Sequence, residues 1–199
     1  NHLAHFLLFQ LLKPALLASV TSDFGSRVLS LSSSVHRDGQ FDFTNSDEIN
    51  FISKPYDPVV AYAQSKLAVI YMANEIERRY GAAGLHALTV MPGGIWTGLQ
   101  SSLPEAVTST WKSDPEFMRV FKSPEQGAAT TVWTALTKEL EGKGANYTED
   151  CAVAEQSPPP TGDPVADMGA PGYAAWAFDE DRERALWKVS CEMVGIDDN

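Results

Sequence analysis

The sequence predicts an α/β fold built on a parallel sheet. Two observations carry this expectation. The apolar runs Arg27–Ser32 and His86–Met91 flank a long segment with helical signals between Asp57 and Tyr80. Strand, helix and strand in that order read as a right-handed βαβ unit. Each run also gives way to small or turn-forming residues, Ser32-Ser33-Ser34 after the first and Pro92-Gly93-Gly94 after the second. In open α/β sheets, ligands bind just beyond such carboxyl ends.

The elements follow in order. Residues 1–20 predict a helix, apolar over much of its surface, with a kink or break at Pro14. Arg27–Ser32 predicts a buried strand, and His36–Pro55 a polar loop. Asp57-Pro58 is a helix start, an N-cap followed by proline at the first helical position. That helix is expected to run to Tyr80, with Gly81 as its C-cap. Residues 98–122 read as irregular or weakly helical. Ser123-Pro124-Glu125-Gln126 spells a capping box for a helix to about Leu140. Gly144–Ala154 holds a last strand, and the Pro, Gly and Asp of 157–171 predict a surface loop. Asp179 caps a final helix with Glu180 and Asp181 in its first turn and an apolar stripe of Leu186, Val189 and Met193. There is no internal repeat, and the expectation is a single domain over 1–199.

Composition excludes several functions. Fifteen basic against 26 acidic residues give a net charge of −11. With no basic run, the chain is a poor ligand for nucleic acid or an anionic membrane surface. Leu3–Val20 is leucine-rich, but His5, Gln10, Lys13 and Pro14 make it too polar for a membrane span. Cys151 and Cys191 have no metal spacing and read as free thiols. His2 and His5 share a helix face with no Cys or acidic cluster, which argues against a metal site. No signal peptide is legible, so a cytoplasmic location is expected.

The chemistry concentrates in Tyr62-Ala63-Gln64-Ser65-Lys66. Residues four apart meet on one helix face. A tyrosine of pKa about 10 is a poor base at neutral pH, and an adjacent cation lowers that value. Alone, the spacing describes by default an aromatic packed beside a snorkelling lysine. Its companions in the sequence are Ser32-Ser33-Ser34 upstream and Pro92-Gly93-Gly94-Ile95-Trp96-Thr97 downstream.

That ordered set resembles the catalytic half of the short-chain dehydrogenase/reductase family, and Asn1-His2-Leu3-Ala4-His5-Phe6 resembles its retinol-dehydrogenase-like branch, which usually has glycine in place of Ala4. The resemblance implies a partial Rossmann-type doubly wound parallel sheet. It implies an oxidoreductase transferring hydride between NAD(P)(H) and a small or lipophilic alcohol, aldehyde or ketone. Tyr62 would be the general acid/base, assisted by Lys66, Ser33 and Asn1; Ser34 is the alternative serine. Tyr62, Lys66, Pro92, Gly93, Ile95 and Thr97 would meet the nicotinamide side of the cofactor, with NADP favoured over NAD by branch resemblance. Trp96 and the apolar residues of 98–122, among them Leu99, Trp111 and Phe117, would either cover the substrate or cap the core. The helices at 1–20 and 58–80 would pair in a homodimer. One departure stands against these matches: no glycine-rich dinucleotide turn occurs among the 14 glycines. The chain therefore reads as the C-terminal piece of a longer enzyme. The competing expectation is an inactive remnant that works through protein contacts.

Overall fold

The computed structural model describes residues 1–198, with only the backbone described at Ser102, Pro164, Val165 and Met168. Helix α1 (Leu3–Ala18) leads to strand β1 (Ser26–Leu31), a short α2 (Ser46–Ile49) and the long α3 (Pro58–Tyr80). Strands β2 (Leu85–Met91) and β3 (Gly94–Ile95) follow, then α4 (Glu105–Ser113), α5 (Pro115–Met118), β4 (Phe121–Lys122) and α6 (Pro124–Leu136). The chain closes with β5 (Asn146–Glu149), β6 (Ala152–Val153), α7 (Pro164–Gly169) and α8 (Glu180–Val194).

The main sheet has the order β1-β2-β5-β6. Strand β2 is parallel to both β1 and β5, so the predicted β1-α3-β2 unit forms; only β6 runs antiparallel. A second, two-stranded sheet joins β3 to β4 in parallel. Every residue of β2 is buried, whereas β1 is mostly half-buried and its Leu31 is exposed. The expected buried strand at 27–32 is thus an edge strand among the described residues, which accounts for its exposure.

Local signals hold where both partners lie close in sequence. Asp57 caps α3 by accepting from the N–H groups of Val59 and Val60, and Ser123 and Gln126 form the reciprocal capping box. Other expectations are corrected. Helix α1 continues through Pro14, which stands on its exposed side, while Phe6 and Phe9 on the opposite side hold the helix to the core. Gly81 is the C-cap of α3 as expected, its N–H bonded to the Glu77 carbonyl, but it keeps right-handed helical angles; Gly84, at φ 81°, makes the left-handed turn into β2. Helix α6 stops at Leu136, because Thr137 is extended and begins a tighter turn over 138–140 that buries Leu140. The last strand is a hairpin, β5-β6, turned by Asp150 and Cys151, both at positive φ. The polar loop at 36–55 contains a 3-10 turn and α2, and sends Phe43 into the core.

Two apolar clusters flank α3. One gathers Phe43, Leu67, Ile70, Tyr71, Tyr147 and Leu186; the other gathers Phe6, Phe9, Ile76, Leu85, Ala87 and Trp187. Each large side chain so buried contributes roughly 1.5–3 kcal/mol relative to exposure. Helix α8 reaches both clusters. Its inner face is Glu183, Leu186, Trp187, Ser190 and Cys191 rather than the predicted apolar stripe, since Val189 and Met193 are only half-buried. Glu183 is admitted because Asn74 donates to it at 2.6 Å and Arg78 pairs with it.

Candidate active site

The parallel register of β1 and β2 places Leu31 opposite Val90, and the Ser32 N–H extends the ladder to the Val90 carbonyl at 2.9 Å. Ser33 and Pro92 consequently leave the sheet side by side at its carboxyl edge. Helix α3 crosses this edge. The Ser32 hydroxyl donates to the Lys66 carbonyl at 2.8 Å, and the Lys66 ammonium donates to the Leu31 carbonyl at 2.9 Å. One turn earlier on the same face, the Tyr62 ring centre lies 5.5 Å from Lys66 Nζ.

The site's polar inventory follows from these bonds. The half-buried Lys66 ammonium has three donors and spends one; loss of hydration lowers its pKa. The half-buried Tyr62 hydroxyl has no partner among the described residues. Ser33 is the N-cap of the 3-10 turn Ser34–Asp38; its Oγ accepts from the Val35 N–H at 3.4 Å, which leaves its own proton uncommitted. Tyr62, Lys66 and the Ser33 turn are thus brought to one edge. Asn1 arrives less directly: its amide donates to Ser65 Oγ at 3.3 Å, and Ser65 Oγ donates to the Tyr62 carbonyl at 2.8 Å. It makes no bond to Lys66 or to the Tyr62 ring.

After β2 the chain turns at Gly93, whose φ of 92° favours glycine. The Lys122 side chain lies across Gly93 so closely that an added Cβ would sit 2.7 Å from Lys122 Cδ, and the Lys122 ammonium pairs with Asp150. The Ile95 carbonyl accepts from the Gln100 side-chain amide at 3.0 Å, and Ile95 packs on Gly127 of α6. Thr97 caps the turn at 98–102, its Oγ1 accepting from the Leu99 N–H at 3.2 Å. Pro92, Gly93, Ile95 and Thr97 therefore form one loop, held by β4 on one side and α6 on the other. Beyond it, Trp96, Phe121, Phe117 and Trp111 form a chain of ring contacts 5.1–5.7 Å apart. None of the four belongs to either core cluster; these aromatics pack on one another.

Two residues of this region escaped sequence reasoning. Ser32 reads as the plain end of the strand, but is the buried serine that ties the strand to α3. His36 reads as a plain loop histidine or as one near the active-site mouth, and its burial, between the Ser33 carbonyl and the Ala174 N–H, was not foreseen. His36 bonds Ser33 locally, but the contacts that bury the two residues lie 34 and 138 residues away. Among the described residues no group of three or more metal-ligating side chains forms, no helix is long and apolar enough to cross a membrane, and both cysteines are free.

No family model matches the chain. Curated relatives do. Short-chain dehydrogenase/reductase prx1 of Penicillium roqueforti is 44% identical over 98% of this chain and 55% of its own length. Retinol dehydrogenase 13 of Mus musculus is 32% identical over 98% of this chain and 52% of its own. Among solved structures, an uncharacterised protein from Mycobacterium paratuberculosis superposes with a TM-score of 0.60 at 26% identity, covering 99% of this chain and 57% of that one. The chain belongs to the short-chain dehydrogenase/reductase family. It resembles the retinol-dehydrogenase-like members and spans about half the length of the curated relatives it matches.

Proposed function

We propose that this chain carries the proton-transfer half of a NAD(P)-dependent oxidoreductase acting on a small or lipophilic alcohol, aldehyde or ketone. The supporting observation is the pairing of Tyr62 and Lys66 beside the Ser33 turn at the carboxyl edge of β1 and β2. A nicotinamide cofactor fits the donor set: Lys66 keeps two N–H groups for ribose hydroxyls, and the Pro92–Thr97 loop lies at the same sheet edge. When bound, the cofactor supplies or accepts the hydride at the substrate carbon.

The chain's own residues handle the oxygen. In the reducing direction the Tyr62 hydroxyl gives its proton to the carbonyl oxygen, and in the oxidising direction the phenolate takes the alcohol proton. Lys66 favours the phenolate by its charge. The uncommitted Ser33 proton donates to the same oxygen as negative charge develops there. Asn1 supports this set through Ser65. The aromatic chain Trp96–Phe121–Phe117–Trp111 offers an apolar cover suited to a lipophilic substrate. NADP is favoured over NAD by branch resemblance.

Titration with NADPH, with NADH in parallel, followed by nicotinamide fluorescence, tests the reading. Saturable binding with preference for NADPH is expected; a folded chain that binds neither overturns it for this chain. A second reading, action through protein contacts, is favoured by the exposed Leu8, Leu11 and Leu12 on α1. It predicts a concentration-dependent dimer in sedimentation that Leu11→Lys dissolves.

A further inference from the structure

The Ser33 carbonyl accepts twice from His36, from its backbone N–H at 3.1 Å and from ring Nδ1 at 2.6 Å. The other ring nitrogen, Nε2, receives the Ala174 N–H at 3.0 Å. A carbonyl can only accept and a peptide N–H can only donate, so both ends dictate one neutral tautomer: a proton on Nδ1 and a lone pair on Nε2. The ring is fully buried and lies 5.3 Å from that of Tyr147.

Ala174 is itself anchored. It follows a closed loop in which Ser157 N–H donates to the Tyr173 carbonyl at 2.8 Å and Gly172 N–H donates to Glu149 at 2.7 Å. Beside His36, Arg37 reaches the Ala170 and Asp167 carbonyls of the same loop at 2.6 and 2.9 Å. Two consecutive residues of the serine turn thus grip one distant segment. By contrast, the cap bond on Ser33 itself is long, at 3.4 Å.

We propose that His36 is a positioning residue, a neutral imidazole of fixed tautomer that sets the Ser33 peptide and locks it to the 156–174 segment. The proposal rests on the oxidoreductase reading for its catalytic consequence, but its geometry does not. The titratable and charged groups facing the ring are Arg37 on its own turn and Tyr147 on β5, with Glu149 beside Tyr147. None of them is an acceptor bonded to the ring in competition with the Ser33 carbonyl.

Nitrogen-15 NMR of the histidine-labelled 199-residue chain tests the brace directly. The expected result is one His36 ring in the Nδ1–H form from pH 8 to pH 5, with a slowly exchanging ring proton. The Nε2–H form, or titration near the ordinary histidine value, overturns the proposal. Catalysis gives the second arm. His36→Asn keeps a donor for the Ser33 carbonyl, whereas His36→Gln keeps only reach toward Ala174. The expected outcome is a fall of roughly ten- to a hundredfold in kcat for the Gln variant, less for Asn, and an unchanged cofactor KM in both. Equal losses that follow the melting temperatures would show a residue that only holds the fold together. A wild type without turnover on any carbonyl defeats the oxidoreductase reading, and the NMR result still decides the brace, including where both variants fail to fold.

Discussion

Ser32 and Lys66 hold each other from opposite directions. The Ser32 hydroxyl donates to the Lys66 carbonyl, and the Lys66 ammonium donates to the carbonyl of Leu31, the residue before Ser32. The end of β1 and the third turn of α3 therefore cannot move independently. Lys66 is placed beside Tyr62 by a strand as well as by its own helix.

Ser32→Ala removes the buried donor and leaves a cavity the size of one oxygen. Loss of such a bond costs about 1–2 kcal/mol. In a chain of this size that corresponds to a fall in Tm of roughly 2–8 °C. Differential scanning calorimetry reads it, and an unchanged Tm would show that the tie contributes nothing.

Tyr62→Phe keeps the ring beside Lys66 and removes the proton. On the proposed function, turnover falls by about 10²–10⁴ while NADPH binding persists. Lys66→Met should instead weaken both, because it removes the donors assigned to the ribose as well as the charge assigned to Tyr62. Parallel stopped-flow and binding measurements separate the two variants, and retained turnover in Tyr62→Phe rejects the assignment.

Glu183 is the buried anchor between α8 and α3. Glu183→Ala removes one partner each from Asn74, which keeps the Ala177 carbonyl, and Arg78; breaking a buried pair costs about 3–5 kcal/mol. Arg78 is 30% exposed in its side chain and still pairs with Glu75, which places the expectation at the lower end. Urea denaturation should show an earlier midpoint with an unchanged slope.

His36 makes stability depend on pH. Burial lowers its pKa from 6.5 to about 4, with the Ser33 carbonyl opposing the shift and Arg37 assisting it. Between those values the unfolded chain binds a proton that the folded chain refuses, so stability falls as pH drops from 6.5 toward 4. At about 1.4 kcal/mol per pKa unit, the full contribution is roughly 3 kcal/mol. His36→Gln should show a shallower loss over this window in urea titrations at stepped pH.

What the sequence made legible follows the range of the interactions. Asp57-Pro58 and the Ser123–Gln126 box are closed within four residues, and both caps form as written. The Tyr62/Lys66 face is equally local. The bonds of Ser32 to Lys66, His36 to Ala174 and Glu183 to Asn74 were illegible because these pairs are far apart in sequence and meet only in the assembled fold. The polar stretch at 36–55 misled for the same reason, since Phe43, flanked by Asp42 and Thr44, shows its core role only when the core receives it. Pro14 kinks or breaks a helix in sequence terms, and the break does not occur: proline removes one helical bond, and the anchoring of Phe6 and Phe9 outweighs that loss.

The hairpin turn at Asp150-Cys151 offers a spectroscopic handle. Cys151 is exposed, whereas Cys191 is buried and its thiol pKa is raised by burial. A thiol-reactive dye will therefore mark one position in the unmodified chain. That position adjoins Asp150, which grips Lys122, and Lys122 lies across Gly93. A fluorophore there reports when the Lys122 arm lifts from the Gly93 backbone, with no engineered cysteine.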